Sequence, residues 1–134
     1  MPLTDKEIAN IIFNETRSLS GGGIVTARTN IAHSIINAEA KTGRRPKTGP
    51  TDAKVPKQEG DVYDKCTNAV VAARLDRASS LDPTKGATNF NFRKNNWSGD
   101  FYGLPIKTQT GPLNNSYPTA DLPAANIFAN TYGK

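Results

Sequence analysis

Apolar side chains near the start of the chain recur with helical spacing. Ile8, Ile11, Ile12, Glu15 and Leu19 fall at i, i+3, i+4, i+7 and i+11, one face of an α-helix. Thr4 and Glu7 form a T-x-x-E capping box just ahead of that stripe. The pattern predicts a helix from there to about Arg17, stopped by the glycine-rich "SGGG" at 20–23. Ile24, Ala27, Ile31, Ile35 and Ala38 predict a second helix over roughly 24–40, with Gly43 as its stop signal. Opposite that stripe, Thr26, Asn30, His33 and Asn37 line up as a polar face. Val62, Cys66, Ala69, Val70 and Ala73 predict a third helix over about 61–77, which "SSLDPTKG" breaks.

Beyond residue 88 the helical period fades. "ATNFNF" alternates, with Phe90 and Phe92 on one side and Asn89 and Asn91 on the other, and so predicts a short strand. "LPIKTQT" is its expected partner. A last helix is expected from Asp121 to Thr131, with Pro123 in its first turn. No internal repeat is present. The expected class is α+β, mainly α, as a single domain over residues 1–134, with a small β element in the second half.

Composition fits a folded domain: hydrophobic residues make up 36% and charged residues 22% of the chain, so wholesale disorder is not expected. No run of eighteen apolar residues suggests a membrane span. "MPLTDKEIAN" lacks a basic region followed by an apolar one, so no signal peptide is expected. If the protein works outside the cytoplasm, at a cell wall or in the periplasm, another system must carry it there, or this chain is a domain cut from something longer. One cysteine, Cys66, permits no internal disulfide. With a single histidine, neither a metal site nor a cofactor is expected.

The net charge of +5 suits an anionic partner without choosing among nucleic acid, acidic polymer and membrane surface. Much of it sits in residues 41–60, where Lys41, Arg44, Arg45, Lys47, Lys54 and Lys57 face only Asp52 and Glu59. Three prolines and three glycines in the same stretch predict a long, exposed basic loop. The second half brings together Phe90, Phe92, Trp97, Phe101, Tyr102, Tyr117, Phe128 and Tyr132 with many asparagines. Aromatic faces and neutral amides suit sugar rings, they also suit nucleic-acid bases, and they also suit a packed lobe with asparagine-rich turns.

Glu15 is the position that asks for chemistry. A carboxylate in line with Ile8, Ile11 and Ile12 is desolvated, which raises its pKa and keeps it protonated as a general acid. Its place at a helix end, beside a glycine-rich loop, leaves it within reach of a substrate. The bland alternative is an ion pair with Arg17, Arg28 or another base. His33 is expected at the surface or hydrogen-bonded, and Cys66 in the core.

Two stretches together resemble the SleB-type, spore-cortex-lytic cell-wall hydrolases. "NETRSL" is similar to that family's helix ending in E-A-R-G-E, whose first Glu is catalytic, and it places Glu15 there. "LDPTKGATNF" is similar to its D-P-T-G-G-A-T segment, matched by Asp82, Pro83, Thr84, Gly86, Ala87 and Thr88, with Lys85 in place of a glycine. "NIAHSIINAE" sets Asn37 where the family has an Asn-Arg pair. The chain departs from the pattern in lacking the second Glu of E-A-R-G-E and the Q-F-S segment, and in having Asn89 after G-A-T.

The resemblance implies a lysozyme-like fold and a peptidoglycan-cleaving glycosidase. Glu15 would be the catalytic acid, and Thr88, Asn89, Tyr102 and Tyr117 would contact sugar. Asp64, Asp82 and Asp100 are the carboxylates available as a second group, and none is placed for it by pattern. A lytic transglycosylase needs none, because the muramyl 6-hydroxyl of the substrate attacks the anomeric carbon. The partners this implies are peptidoglycan glycan strands, and for a delivered toxin a cognate immunity or inhibitor protein. The competing readings are a non-catalytic peptidoglycan or polyanion binding module and a nucleic-acid-targeting toxin domain. No helix-turn-helix, RRM or metal-nuclease pattern favours the last.

Overall fold

Three helices form the frame of the computed structural model, which describes residues 2–18, 24–43, 45, 48–91, 106–115 and 125–132. For 42, 89, 91, 106–115 and 125–132 it describes the backbone alone. Helix α1 spans Asp5–Thr16, α2 Ile24–Thr42 and α3 Gly60–Ala78. The capping box closes at both ends: Glu7 N donates to Thr4 Oγ1 at 3.1 Å, and Thr4 N donates to Glu7 Oε1 at 3.0 Å. Gly43 ends α2 in the left-handed region, at φ +68°.

Helix α3 ends in a Schellman motif. Leu81 N reaches Asp76 O at 2.8 Å and Ser80 N reaches Arg77 O at 3.0 Å. The left-handed residue this requires is Ser80, at φ +58°, where glycine is the usual occupant.

The core is the seam between these helices. Ile8, Ile11, Ile12 and Phe13 of α1 meet Ile31, Ile35 and Ile36 of α2 and Cys66, Val70 and Ala73 of α3. Phe13 and Tyr63 meet edge to face, with centroids 5.7 Å apart. Cys66 is buried, as its apolar stripe predicts, and that burial pushes its thiol pKa up. The protein is mainly helical. No helix among the described residues is long and apolar enough to cross a membrane.

Helix α2 corrects the sequence picture. Its polar stripe does not face water: Asn30, His33 and Asn37 are buried along with Ile31 and Ile35, and only Thr26 is exposed. The helix is enclosed on both sides, so its amides and imidazole serve as internal ties rather than as a solvated face.

The basic loop is shorter and better anchored than its composition suggests. Lys41 belongs to α2, and residues 57–59 form a single 3₁₀ turn leading into α3. Between them, Asn10 Nδ2 donates to Thr51 O at 2.9 Å, and Asn14 Nδ2 donates to Pro50 O at 3.2 Å and Asp52 O at 3.0 Å. Ala53 is partly buried against the core.

The backbone of the second half is extended over β1 (Asn89–Asn91), β2 (Ile106–Asn115) and β3 (Ala125–Tyr132), in the order β1-β3-β2 with both pairings antiparallel. Two expectations change. The partner of β1 is β3, with Phe90 opposite Ile127, and not the segment around 104–110. Residues 125–132 are a strand and not part of a last helix. "ANIFANTY" is poor in helix formers, and its Ile, Phe, Thr and Tyr favour extended backbone.

Candidate functional site

Glu15 stands in the last turn of α1, one turn beyond Ile11 and Ile12. Those two isoleucines are buried, whereas Glu15 is at the point where the stripe leaves the core and its side chain is exposed. The carboxyl is nonetheless partly desolvated, which raises its pKa above the ordinary value of 4.5. A methyl group placed on Gly49 would lie 3.9 Å from Glu15 Oε1.

The bland alternative for Glu15 is not realised among the described residues. Arg17 turns away to Glu59, with Nη2 to Oε2 at 2.6 Å and Nε to Oε1 at 3.1 Å, and its guanidinium lies 5.0 Å from the Phe13 ring centroid. Arg28 is buried, and its Nε has no hydrogen-bond partner. No described cation pairs with Glu15. The carboxyl is therefore partly desolvated and has no cation beside it among the described residues, which favours its protonated form.

A second cluster joins α2, the end of α3 and the "DPTKGAT" turn. Asn37 is its hub. Its Nδ2 donates to Asp82 Oδ2 at 2.9 Å, to Ala87 O at 2.9 Å and, more weakly, to Thr84 Oγ1 at 3.3 Å. Its Oδ1 accepts from Arg77 Nη1 at 2.6 Å.

Asp82 caps the turn, accepting from Thr84 N at 2.9 Å, Thr84 Oγ1 at 2.6 Å and Gly86 N at 2.9 Å. Burial pushes the Asp82 carboxyl up, but the bonds from Thr84, Asn37 and Gly86 outweigh it and leave the pKa below the usual carboxylate value. Lys85 and Gly86 both have positive φ, +55° and +82°, and Ala87 N returns to Thr84 O at 3.3 Å, the form of a type I′ turn. Lys85 thus keeps the left-handed backbone that a glycine would adopt with less strain.

His33 lies inside this cluster and is fully buried. Its Nε2 is 3.0 Å from Asp76 Oδ2, and its Nδ1 is 3.7 Å from Asp82 Oδ1, beyond hydrogen-bond reach and without another partner. It is a packed tie between helices, hydrogen-bonded rather than surface-exposed.

Of the residues singled out for sugar contact, Thr88 is completely buried and engaged by its surroundings. Asn89 opens β1. Tyr102 and Tyr117 lie outside the described residues, as do Leu19, Trp97 and Asp100. Asp64 is exposed on α3.

Sequence reasoning missed Asn10 and Asn14, although their i, i+4 spacing on α1 was visible. It placed Asn37 on a polar stripe opposite the apolar one, whereas the side chain is buried. Two grooves lie elsewhere, one of about 390 Å³ lined by Leu3, Ile36, Glu39 and Arg74 among others, and one of about 290 Å³ between α1 and α3. Glu15 lines neither. No family model matches the chain, and no curated protein or solved structure matches it.

Proposed function

We propose that the protein is a peptidoglycan-cleaving glycosidase of lysozyme-like, α+β fold, a lytic transglycosylase that cuts the MurNAc-GlcNAc bond with Glu15 as its acid. The observation that carries this reading is the state of Glu15: at a helix end, desolvated on one flank, exposed on the other, and without a cation among the described residues. The resemblance of "NETRSL" and "DPTKGAT" to the SleB-type pattern supplies the substrate class.

In this reading Glu15 protonates the bridging oxygen, which is otherwise a poor leaving group. The muramyl 6-hydroxyl then attacks the anomeric carbon, and the Glu15 carboxylate takes up its proton. One carboxyl serves both steps. The sugar would lie between α1 and the aromatic segment, with Asn89, Tyr102 and Tyr117 as its contacts; Thr88, expected among them, is completely buried and so is out of a sugar's reach. Peptidoglycan lies outside the cytoplasmic membrane; as a toxin delivered there by another system, the protein would be matched by an immunity protein.

A zymogram on purified cell walls tests the proposal. Clearing by the wild type and its loss by orders of magnitude in folded Glu15→Gln is the expected result. Clearing by Glu15→Gln removes Glu15 from the mechanism. Wall binding without any clearing by the wild type selects the binding-module reading. Mass spectrometry of the digest should find 1,6-anhydromuramyl ends. Reducing ends, heavier by one water, would make it a hydrolase and return Asp64 and Asp100 to consideration.

A further inference from the structure

Asn10 and Asn14 sit one turn apart on the same flank of α1, and both spend their amide donors on the backbone of one distant segment. Asn10 Nδ2 holds Thr51 O, and Asn14 Nδ2 spans Pro50 O and Asp52 O. Tyr63 Oη, from α3, fixes Asn10 in turn by donating to its Oδ1 at 2.6 Å. Three consecutive carbonyls are thereby clamped onto the helix. At the residue that precedes them, Gly49, an added Cβ would lie 3.9 Å from the carboxyl of Glu15, the next residue after Asn14.

We propose that residues 49–52 form a strap clamped by Asn14 and Asn10 over one flank of Glu15, and that Asn14 is a positioning residue for the acid. This rests on the reading of Glu15 given above. The strap puts peptide backbone where water would otherwise solvate the carboxyl, and leaves the opposite flank free for a glycosidic oxygen.

Charge does not account for the same environment. The raised pKa of Glu15 has desolvation as its cause and no charged neighbour. Of the charged groups on the adjoining elements, Arg17 is taken by Glu59 and Arg45 by Glu7, and Asp52 on the strap is exposed. Gly49 does not have a positive φ, so a larger residue there meets no backbone strain. A methyl at that site would fall at ordinary contact distance and thicken the cover.

The two ends of the strap make opposite predictions. Asn14 is exposed, so Asn14→Ala should fold while releasing Pro50 and Asp52. The Glu15 carboxyl would be followed by ¹³C-detected NMR titration, its resonance assigned by its disappearance in Glu15→Gln. Its midpoint should move down in Asn14→Ala, toward the ordinary carboxylate value, and up in Gly49→Ala. The neutral-pH limb of wall clearing should move in the same senses. An unchanged midpoint in Asn14→Ala overturns the proposal, and so does a shift of the same sign in both variants. The outcome is separable from the catalytic reading. Clearing by Glu15→Gln would sink the acid assignment alone, and a static titration would sink the strap alone.

Discussion

Removing the side chain of Asn37 should do more damage than its size suggests. Asn37→Ala deletes one carboxamide, but that carboxamide is the junction of three chain segments. Its Nδ2 serves Ala87 O and Asp82 Oδ2, both at 2.9 Å, and its Oδ1 takes Arg77 Nη1 at 2.6 Å. A neutral hydrogen bond contributes about 1 kcal/mol net, and one to a charged group about 1.5–3 kcal/mol. The simple sum over one neutral and two charged bonds is therefore roughly 4–7 kcal/mol.

One fact reduces that figure. Asp82 and Arg77 are only partly buried, so water can reach them once the amide is gone. The weak 3.3 Å contact to Thr84 adds little, because Thr84 Oγ1 already donates to Asp82. We expect a loss of about 3 kcal/mol, dominated by the stranded Ala87 carbonyl and the two released charges. For a chain of this length that is a fall in Tm of roughly 10 °C. Asn37→Asp should be no milder, since it removes the donors and sets a carboxylate beside Asp82. Urea titration followed by far-UV circular dichroism measures the change directly. A loss under about 1 kcal/mol would show that the turn is held by its own Asp82 cap and that Asn37 is an accessory.

Ser80→Gly should stabilise the protein by about 0.5 kcal/mol: the left-handed conformation at φ +58° costs a residue with a Cβ about 1–2 kcal/mol, partly offset by the greater freedom of glycine in the unfolded chain. A denaturation midpoint at or below that of the wild type would contradict this. Glu15→Gln should raise stability at neutral pH. A carboxyl whose folded pKa is raised binds its proton more tightly when folded, so stability falls as pH climbs from the ordinary value of 4.5 through the raised one. The gain from Gln should accordingly be present above that window and vanish below it. A Tm difference between the two proteins that is independent of pH would refute the desolvation account.

The helical frame was legible because its signals are local. Thr4 and Glu7 mark the start of α1, Gly43 marks the end of α2, and the stripe from Val62 to Ala73 marks the buried face of α3. Each depends on residues within a turn or two of one another. The inward polar face of α2 was not legible, because nothing near Asn37 or His33 in sequence reveals their partners. These are Asp76, Arg77, Asp82, Thr84 and Ala87, some forty to fifty residues away. An asparagine with such partners and one facing water look alike in a helical projection. Residues 125–132 failed for another reason: Pro123 suggested a helix's first turn, but the strand character of Ile127, Phe128 and Tyr132 is expressed by pairing with β1 and β2.

Glu15 shows how far periodicity carries a functional argument. The stripe correctly aligned it with Ile8, Ile11 and Ile12, and from that alone burial follows. A helix, however, ends where its neighbours no longer cover it, and Glu15 lies in that final turn, where the stripe reaches solvent. On the strap proposal, what keeps it partly dry is not the aliphatic face beneath it but backbone from residues 49–52, laid over α1 by Asn10 and Asn14. The distinction has a chemical consequence. A carboxyl desolvated by core side chains is desolvated permanently and is out of reach of a substrate. A carboxyl desolvated by a strap on one flank can stay protonated and still meet a glycosidic oxygen on the other. The basic loop, expected from its composition to be long and exposed, is instead tied to α1 through its carbonyls, which Asn10 and Asn14 hold.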